Sequence, residues 1–296
     1  MDLMVSSFLK YLEFEKRCSP HTLKSYRNDL YQFKSFLDSD LVPVELDKVE
    51  HQHIRGWLIH LVQLNLSATT INRKIATLRS YYKYSLRQNL IHGDPSSRVK
   101  MLKVGKPLPI FAKESELTKA LDQMIFQEGF GGLRDQLVME FLYSTGTRLS
   151  ELVNLQERDI DITQAQVKVL GKRNKQRIIP VPKPLISVIS NYQVQKKKEF
   201  PDNYSPYLIV SNNGRQSYPM LIYRIVNKAL KPLISLEKQS PHILRHTFAT
   251  HLLNKGAELN AVKELLGHSS LAATQIYTHN SIERLKEVFN RSHPKA

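Results

Sequence analysis

The sequence predicts a mainly α protein with a small antiparallel β-sheet, divided into a helical N-terminal domain and an α+β C-terminal domain. Three observations carry this. Over the first hundred residues, apolar side chains recur at three- and four-residue spacing, the period of an amphipathic helix. A polar stretch punctuated by Pro and Gly follows. Beyond it, helical patterning resumes but is interrupted by two short β-branched runs around a polar turn. The 296 residues suit two domains of about 150 residues each. With 41% hydrophobic and 24% charged residues the chain has ordinary globular composition. No run approaches the ~18 consecutive apolar residues of a membrane span. The opening Met1-Asp2-Leu3-Met4 lacks the basic-then-apolar pattern of a secretory signal. A lone cysteine, Cys18, forms neither an internal disulfide nor a zinc ribbon. The expectation is a cytoplasmic protein.

The elements follow in order. In residues 6–15, Phe8, Leu9, Tyr11, Leu12 and Phe14 make a broad apolar face. A second helix starts at Ser19-Pro20, an N-cap followed by Pro at the first helical position, and runs through Leu23, Tyr26, Leu30, Phe33 and Leu37. A third spans 51–63 through Ile54, Trp57, Leu58 and Leu61. A fourth opens at Ser67, with Ile71, Ile75, Leu78, Tyr82 and Leu86 on one side and Arg73, Lys74, Arg79 and Lys83 on the other. The helical domain therefore covers residues 1–88. Residues 89–109, rich in turn chemistry and carrying Arg98, Lys100, Lys103 and Lys106, read as a basic linker. The domain of 110–296 begins with helices near 114–127, 132–144 and 149–154. Gln166–Leu170 and Gln176–Val181 form a predicted hairpin around Gly171–Lys175, and Tyr207–Val210 a further strand. From residue 220 the pattern is helical to the end.

The net charge of +16 is spread over both domains, +6 in residues 1–105 and +10 in 106–296. Two basic domains joined by a basic linker suit a protein that closes around one extended polyanion, with nucleic acid the leading candidate because Lys and Arg displace condensed counterions from phosphates. Phosphate-loop, dinucleotide, nucleophile-elbow and zinc-hydrolase motifs are absent, which argues against a nucleotide-driven motor or a zinc hydrolase.

What remains is a set of Arg, Lys, His and Tyr residues in the C-terminal half. Ser240-Pro241-His242-Ile243-Leu244-Arg245 places His242 and Arg245 on one face of a helix just after its start, a sound anion site. Alone, this spacing describes a solvated basic helix as readily. His268 sits at a helix junction in Leu265-Leu266-Gly267-His268, and Tyr277 lies nine residues beyond. A lone tyrosine beside Ile276 would by itself read as a core or rim aromatic.

Taken together, HxxRHTxAT, LLGHxS and the tyrosine nine residues later resemble the tyrosine recombinase (integrase) family. Tyr143–Leu152 matches that family's first arginine box, which places Arg148. Gly171–Arg177 resembles the hairpin carrying its catalytic lysine, which places Lys172. Ser19-Pro20-His21-Thr22, Tyr26, Asp29-Leu30 and Phe33 resemble its helical core-binding domain. The resemblance spans nearly the whole chain and is greatest to the Xer subgroup, which resolves chromosome dimers. One departure is Arg173, where the subgroup usually has glycine after the lysine. At a positive φ a non-glycine residue there costs about 1 kcal/mol, and Lys175 is the alternative lysine.

The resemblance implies a chemistry consistent with these residue types. Attack on a phosphodiester adds a second negative charge to phosphorus, which Arg148 and Arg245 would meet with His268 donating a further hydrogen bond. Tyr277 would be the nucleophile, forming a 3′-phosphotyrosyl bond, with His242 as the base its pKa of about 10 calls for. Lys172 would protonate the leaving 5′ oxygen. No cofactor, metal or ATP is expected, because the covalent intermediate conserves the bond energy. The implied partners are a double-stranded DNA recombination site, three further protomers in a tetramer on two duplexes (identical or paralogous), and a DNA translocase as regulator. Ile282, Leu285, Val288 and Phe289, on one face of a C-terminal helix with Arg284, Lys286 and Arg291, would dock on a neighbouring protomer; packing on their own domain is the alternative. Competing functions are the integrase of a mobile element, a plasmid resolvase, a single-duplex topoisomerase and, without catalysis, an architectural DNA-binding protein.

Overall fold

The computed structural model describes residues 3–39, 43–105, 126–171, 175–231, 240–267 and 287–293. The chain divides into two compact units, Met1–Leu108 and Pro109–Ala296.

In the first unit, α1 (Leu3–Lys10) continues through a wider turn at Tyr11–Glu15, followed by α2 (Pro20–Leu37), α3 (His51–Gln63) and α4 (Ala68–Arg87). The expected caps form: the Oγ atoms of Ser19 and Ser67 each accept from the backbone N–H three residues on, at 3.2 Å. Phe8, Leu30, Phe33, Trp57, Leu61, Ile71 and Tyr81 are fully buried, with the Phe33 and Trp57 rings 4.8 Å apart. The apolar stripes of the helices thus meet in one core.

The basic side of α4 departs from expectation. Lys74 is buried, its Nζ 2.9 Å from Asp29 Oδ1 on α2. Arg73 also binds both oxygens of Asp29, and Thr77 Oγ1 donates to Asp29 Oδ2 at 2.9 Å. Arg79 donates to the Val99 carbonyl. Of the four basic residues, three are engaged within the unit, while Lys83 is exposed. For Arg73 and Lys74 the buried Asp29 is the cause, because a carboxylate removed from water needs cationic partners. Part of the stretch expected as a linker also packs here. Ile91 and Val99 are buried, and the Asn72 side chain pairs with the Leu102 backbone through two hydrogen bonds of 2.9 and 2.8 Å.

The second unit runs α5 (Phe130–Thr145), α6 (Leu149–Asn154), β1 (Ile160–Asp161), β2 (Gln166–Leu170), β3 (Gln176–Pro180), α7 (Lys183–Glu199), α8 (Pro219–Leu230), α9 (Pro241–Asn254) and α10 (Leu259–Leu266). The strands form an antiparallel sheet in the order β1-β2-β3. Val167 pairs with Ile179 and Val169 with Arg177. These four side chains are buried, so they occupy the face of the sheet turned to the core.

The strand expected at 207–210 is absent as a ladder. Tyr207 and Val210 make single bridges, to Gln156 and Gln216, on different stretches of chain. Leu208, Ile209 and Val210 are all fully buried, so the run is a core segment without the two-residue alternation of a half-buried strand. Most of the helix expected at 114–127 lies outside the described residues.

Residues 287–292 are helical and pack on their own unit. Phe289 is fully buried, 6.5 Å from the Phe248 ring and 4.5 Å from the ring of His293. Here the alternative of packing at home describes Phe289, since its ring completes the core beside α9. Ile282, Arg284, Leu285 and Lys286 lie outside the described residues.

Candidate active site

α5 ends at Gly146, whose φ of +58° is the left-handed conformation that halts a helix. A β-carbon there would lie 2.4 Å from Phe248 Cδ1, so both the dihedral and the space call for glycine. The turn sets Arg148 as the residue capping α6. Glu151, three residues into that helix, reaches back to accept from the Arg148 N–H at 2.8 Å. The same carboxylate binds the Arg148 side chain, Nη1 to Oε1 at 2.7 Å.

From the sheet, Arg177 enters the same place. Its Nη1 and Nη2 donate to Glu151 Oε1 and Oε2, both at 2.8 Å, in a two-pronged pair. From α9, Arg245 extends Nη1 to the Gly146 carbonyl at 2.6 Å.

All three arginines also reach the end of α10. Its last carbonyls have no partner within the helix and carry the negative end of its dipole. Leu265 O accepts from Arg177 Nε at 2.7 Å, Leu266 O from Arg245 Nη2 at 2.6 Å, and Gly267 O from Arg148 Nη2 at 3.1 Å. Gly267 itself has φ +64°, and a β-carbon on it would meet the Arg177 side chain at 3.1 Å. Three successive carbonyls thus fix three guanidiniums.

The electrostatics follow. Three guanidiniums against one carboxylate leave two net positive charges. Burial alone would raise the pKa of Glu151, but hydrogen bonds and charge from Arg177, with the bonds from Arg148, hold it below the ordinary carboxylate value. Burial and then the charges of Arg148 and Arg177 lower the pKa of Arg245 to about 10, against the pull of Glu151. Arg245 remains a cation at neutral pH. Each bonded terminal nitrogen of Arg148 and Arg245 keeps a second N–H for another acceptor. The arrangement is suited to binding an anion that gains negative charge.

The structure brings Arg148 and Arg245 together as the sequence pattern requires. His242 is exposed in the first turn of α9, one turn ahead of Arg245. Lys172, His268 and Tyr277 lie outside the described residues, as do Arg173 and Asn174. Their flanks are described: Gly171 N donates to Lys175 O at 2.7 Å, closing the base of the hairpin, and His268 directly follows Gly267. Lys175 is exposed. Glu151 and Arg177 were missed as site residues. A signal existed for Arg177, because it holds a core-facing position in an alternating strand, where a charge requires a buried counter-ion. Among the described residues no group of three or more His, Cys, Asp or Glu is placed to hold a metal ion. No described helix is long and apolar enough to cross a membrane.

Comparison with known proteins agrees with this architecture. The sequence model of the phage integrase family matches residues 113–284, and that of the phage integrase N-terminal SAM-like domain matches 5–89. Tyrosine recombinase XerC of Staphylococcus haemolyticus is 39% identical over 296 residues, covering 100% of this chain and 98% of the relative. Tyrosine recombinase XerC of Chlorobaculum parvum is 37% identical over 98% of this chain and 94% of its own. Among solved structures, the fold is shared with the XerH site-specific recombinase bound to difH substrate in a pre-cleavage complex (TM-score 0.69, 22% identity, 96% of this chain and 82% of that one). It is also shared with the Tn1549 transposon integrase in complex with circular intermediate DNA (TM-score 0.68, 20% identity, 95% and 98%). The chain belongs to the phage integrase family. Within that family it is a Xer-type tyrosine recombinase, a site-specific DNA recombinase.

Proposed function

We propose that this chain resolves chromosome dimers by cutting and rejoining DNA at a recombination site, with Tyr277 as nucleophile. The observation that carries the chemistry is the pair Arg148 and Arg245, held on adjacent carbonyls of α10 within a cluster of net charge +2. The Tyr277 hydroxyl attacks the scissile phosphorus while its proton passes to His242. The phosphorus–5′ oxygen bond breaks, and Lys172 supplies the proton to that oxygen. A 3′-phosphotyrosyl bond is left, and a 5′ hydroxyl from the partner strand reverses the step. The two arginines and His268 oppose the charge that peaks between these states, at about 2.7–4 kcal/mol for a single such donor.

On this reading the chain acts in the cytoplasm, both domains contact DNA, and four protomers, identical or paralogous, assemble on two duplexes under control of a DNA translocase. Docking of the C-terminal segment on a neighbour would require Phe289 to leave its own core, at a cost of about 2–3 kcal/mol that the new interface must offset.

The test is Tyr277→Phe on a nicked duplex built on the sequence the chain protects in footprints of its genomic DNA. The variant should bind the site normally and form no covalent adduct; an adduct from the Phe variant would refute the assignment. A plasmid bearing two sites then separates recombination, which changes connectivity, from relaxation of one duplex.

A further inference from the structure

We infer that Arg177 is a positioning residue for strand cleavage, one that neutralises and orients Glu151 so that the charge of Arg148 stays available to the scissile phosphate. The inference rests on the proposed cleavage site but concerns a residue outside the set of Arg148, Lys172, His242, Arg245, His268 and Tyr277.

Arg177 is 4% exposed, and each of its three nitrogens is bonded within the protein, to Leu265 O and to the two oxygens of Glu151. It is built to hold protein groups. Glu151 Oε1 is shared, accepting from Arg177 Nη1 at 2.8 Å and from Arg148 Nη1 at 2.7 Å. With Arg177 present, the carboxylate divides its charge between two guanidiniums. Without it, the full negative charge of a buried carboxylate would fall on Arg148 alone. At a separation below 3 Å in a medium far less polar than water, that would largely cancel the cation before any phosphate arrives.

The geometry adds a second effect. Arg177 joins β3, which descends from the hairpin bearing Lys172, to the first turn of α6 and the last turn of α10. Arg148 caps the first of these turns, and His268 follows the second in the chain. The fork of Arg177 therefore ties β3 and the end of α10 to the carboxylate of Glu151, beside the bond that Arg148 makes to the Gly267 carbonyl. Gly267 leaves room for this side chain, since a β-carbon there would lie 3.1–3.4 Å from its Nη1, Cδ and Cζ.

The charge argument makes a prediction that a purely structural role does not. A methylphosphonate at the scissile position replaces one non-bridging oxygen by methyl, so ground and transition states each carry one negative charge less. It depends less on the cation that Arg177 protects. Single-turnover cleavage is measured on nicked duplexes of the footprinted sequence carrying either linkage. Arg177→Met should slow phosphodiester cleavage about 100-fold and methylphosphonate cleavage less than about 10-fold, with DNA affinity within about 2-fold of wild type. Equal slowing of both substrates, or no slowing of either, overturns the inference.

If Arg177→Met does not fold, the comparison moves to a background without the carboxylate. There Arg177 has nothing to neutralise, so Glu151→Gln and Glu151→Gln/Arg177→Met should cleave the phosphodiester within about 5-fold of each other. A further loss near 100-fold in the double variant would refute the mechanism. Wild-type protein that forms no adduct would instead refute the recombinase site itself, whereas wild type that cleaves beside equally active Arg177 variants refutes only this role.

Discussion

Gly146→Ala tests the geometry of the arginine site without touching a charged group. Gly146 has φ +58°, a conformation costing an L side chain roughly 1–2 kcal/mol. The added methyl would lie 2.4, 2.9 and 3.0 Å from Phe248 Cδ1, Cε1 and Cγ. Ordinary contact requires the ring to retreat by about 1 Å, yet Phe248 is 1% exposed and packs against Phe289. Overpacking of this kind costs about 1–3 kcal/mol, so the total loss should be about 2–5 kcal/mol. The assay can be confined to one domain. Trp57, the single tryptophan, lies in the N-terminal core, so its fluorescence follows that unit and far-ultraviolet circular dichroism follows both. In urea, Gly146→Ala should lower the midpoint of the C-terminal transition and leave the Trp57 transition in place. Adding Phe248→Leu replaces the rigid ring by a side chain that can turn away from the methyl but leaves the dihedral cost, so the double variant should recover about 1–3 kcal/mol relative to additivity. A change below about 0.5 kcal/mol for Gly146→Ala, or strict additivity with Phe248→Leu, would refute the reasoning. Cleavage should suffer too, because the Gly146 carbonyl holds Arg245.

Three further outcomes are expected. Asp29→Asn leaves Lys74, only 8% exposed, without its anion, and should destabilise the N-terminal unit by about 3 kcal/mol in the Trp57 fluorescence transition. Phe289→Ala should cost about 3–5 kcal/mol in the C-terminal transition, read by circular dichroism; a neutral result would mean that this ring is not held in its own domain in solution. Glu151 has its pKa depressed in the folded state, so its stabilisation is present above the unfolded carboxyl value near 4.3 and is lost as pH falls through the lower folded value. The melting temperature of wild type should therefore drop more steeply below about pH 4 than that of Glu151→Gln, and parallel pH curves would contradict the pairing.

The legible parts of this protein were those written in local chemistry. Ser19 and Ser67 announce their helices because a cap acts on an N–H three residues away. The apolar period of α2 to α4 is likewise local, and it delivered the N-terminal core. Arg148 and Arg245 were singled out by the resemblance to the tyrosine recombinase family, whose short ordered motifs they match, since the HxxR spacing alone describes a solvated basic helix as readily. The hairpin of β2 and β3 followed from two β-branched runs flanking a polar turn. The run at 207–210 failed for the opposite reason: its residues are apolar because the core surrounds them, and composition alone does not separate such a segment from a strand.

By itself, then, the sequence determined most of the helices, the hairpin, the family and the two arginines proposed for the site, because period, capping and motif order operate over a few residues; α7 (Lys183–Glu199) was not anticipated. The tertiary structure decided which charges meet. Arg73 and Lys74 look alike as basic residues of α4 until Asp29, more than forty residues away, draws Lys74 into the core and pairs with the still exposed Arg73. Arg177 looks like one more basic residue of a hairpin until the sheet register turns it toward Glu151 and the carbonyls of α10. A buried ion selects its partner by distance in space and by the cost of having none, and neither is expressed in the neighbouring sequence.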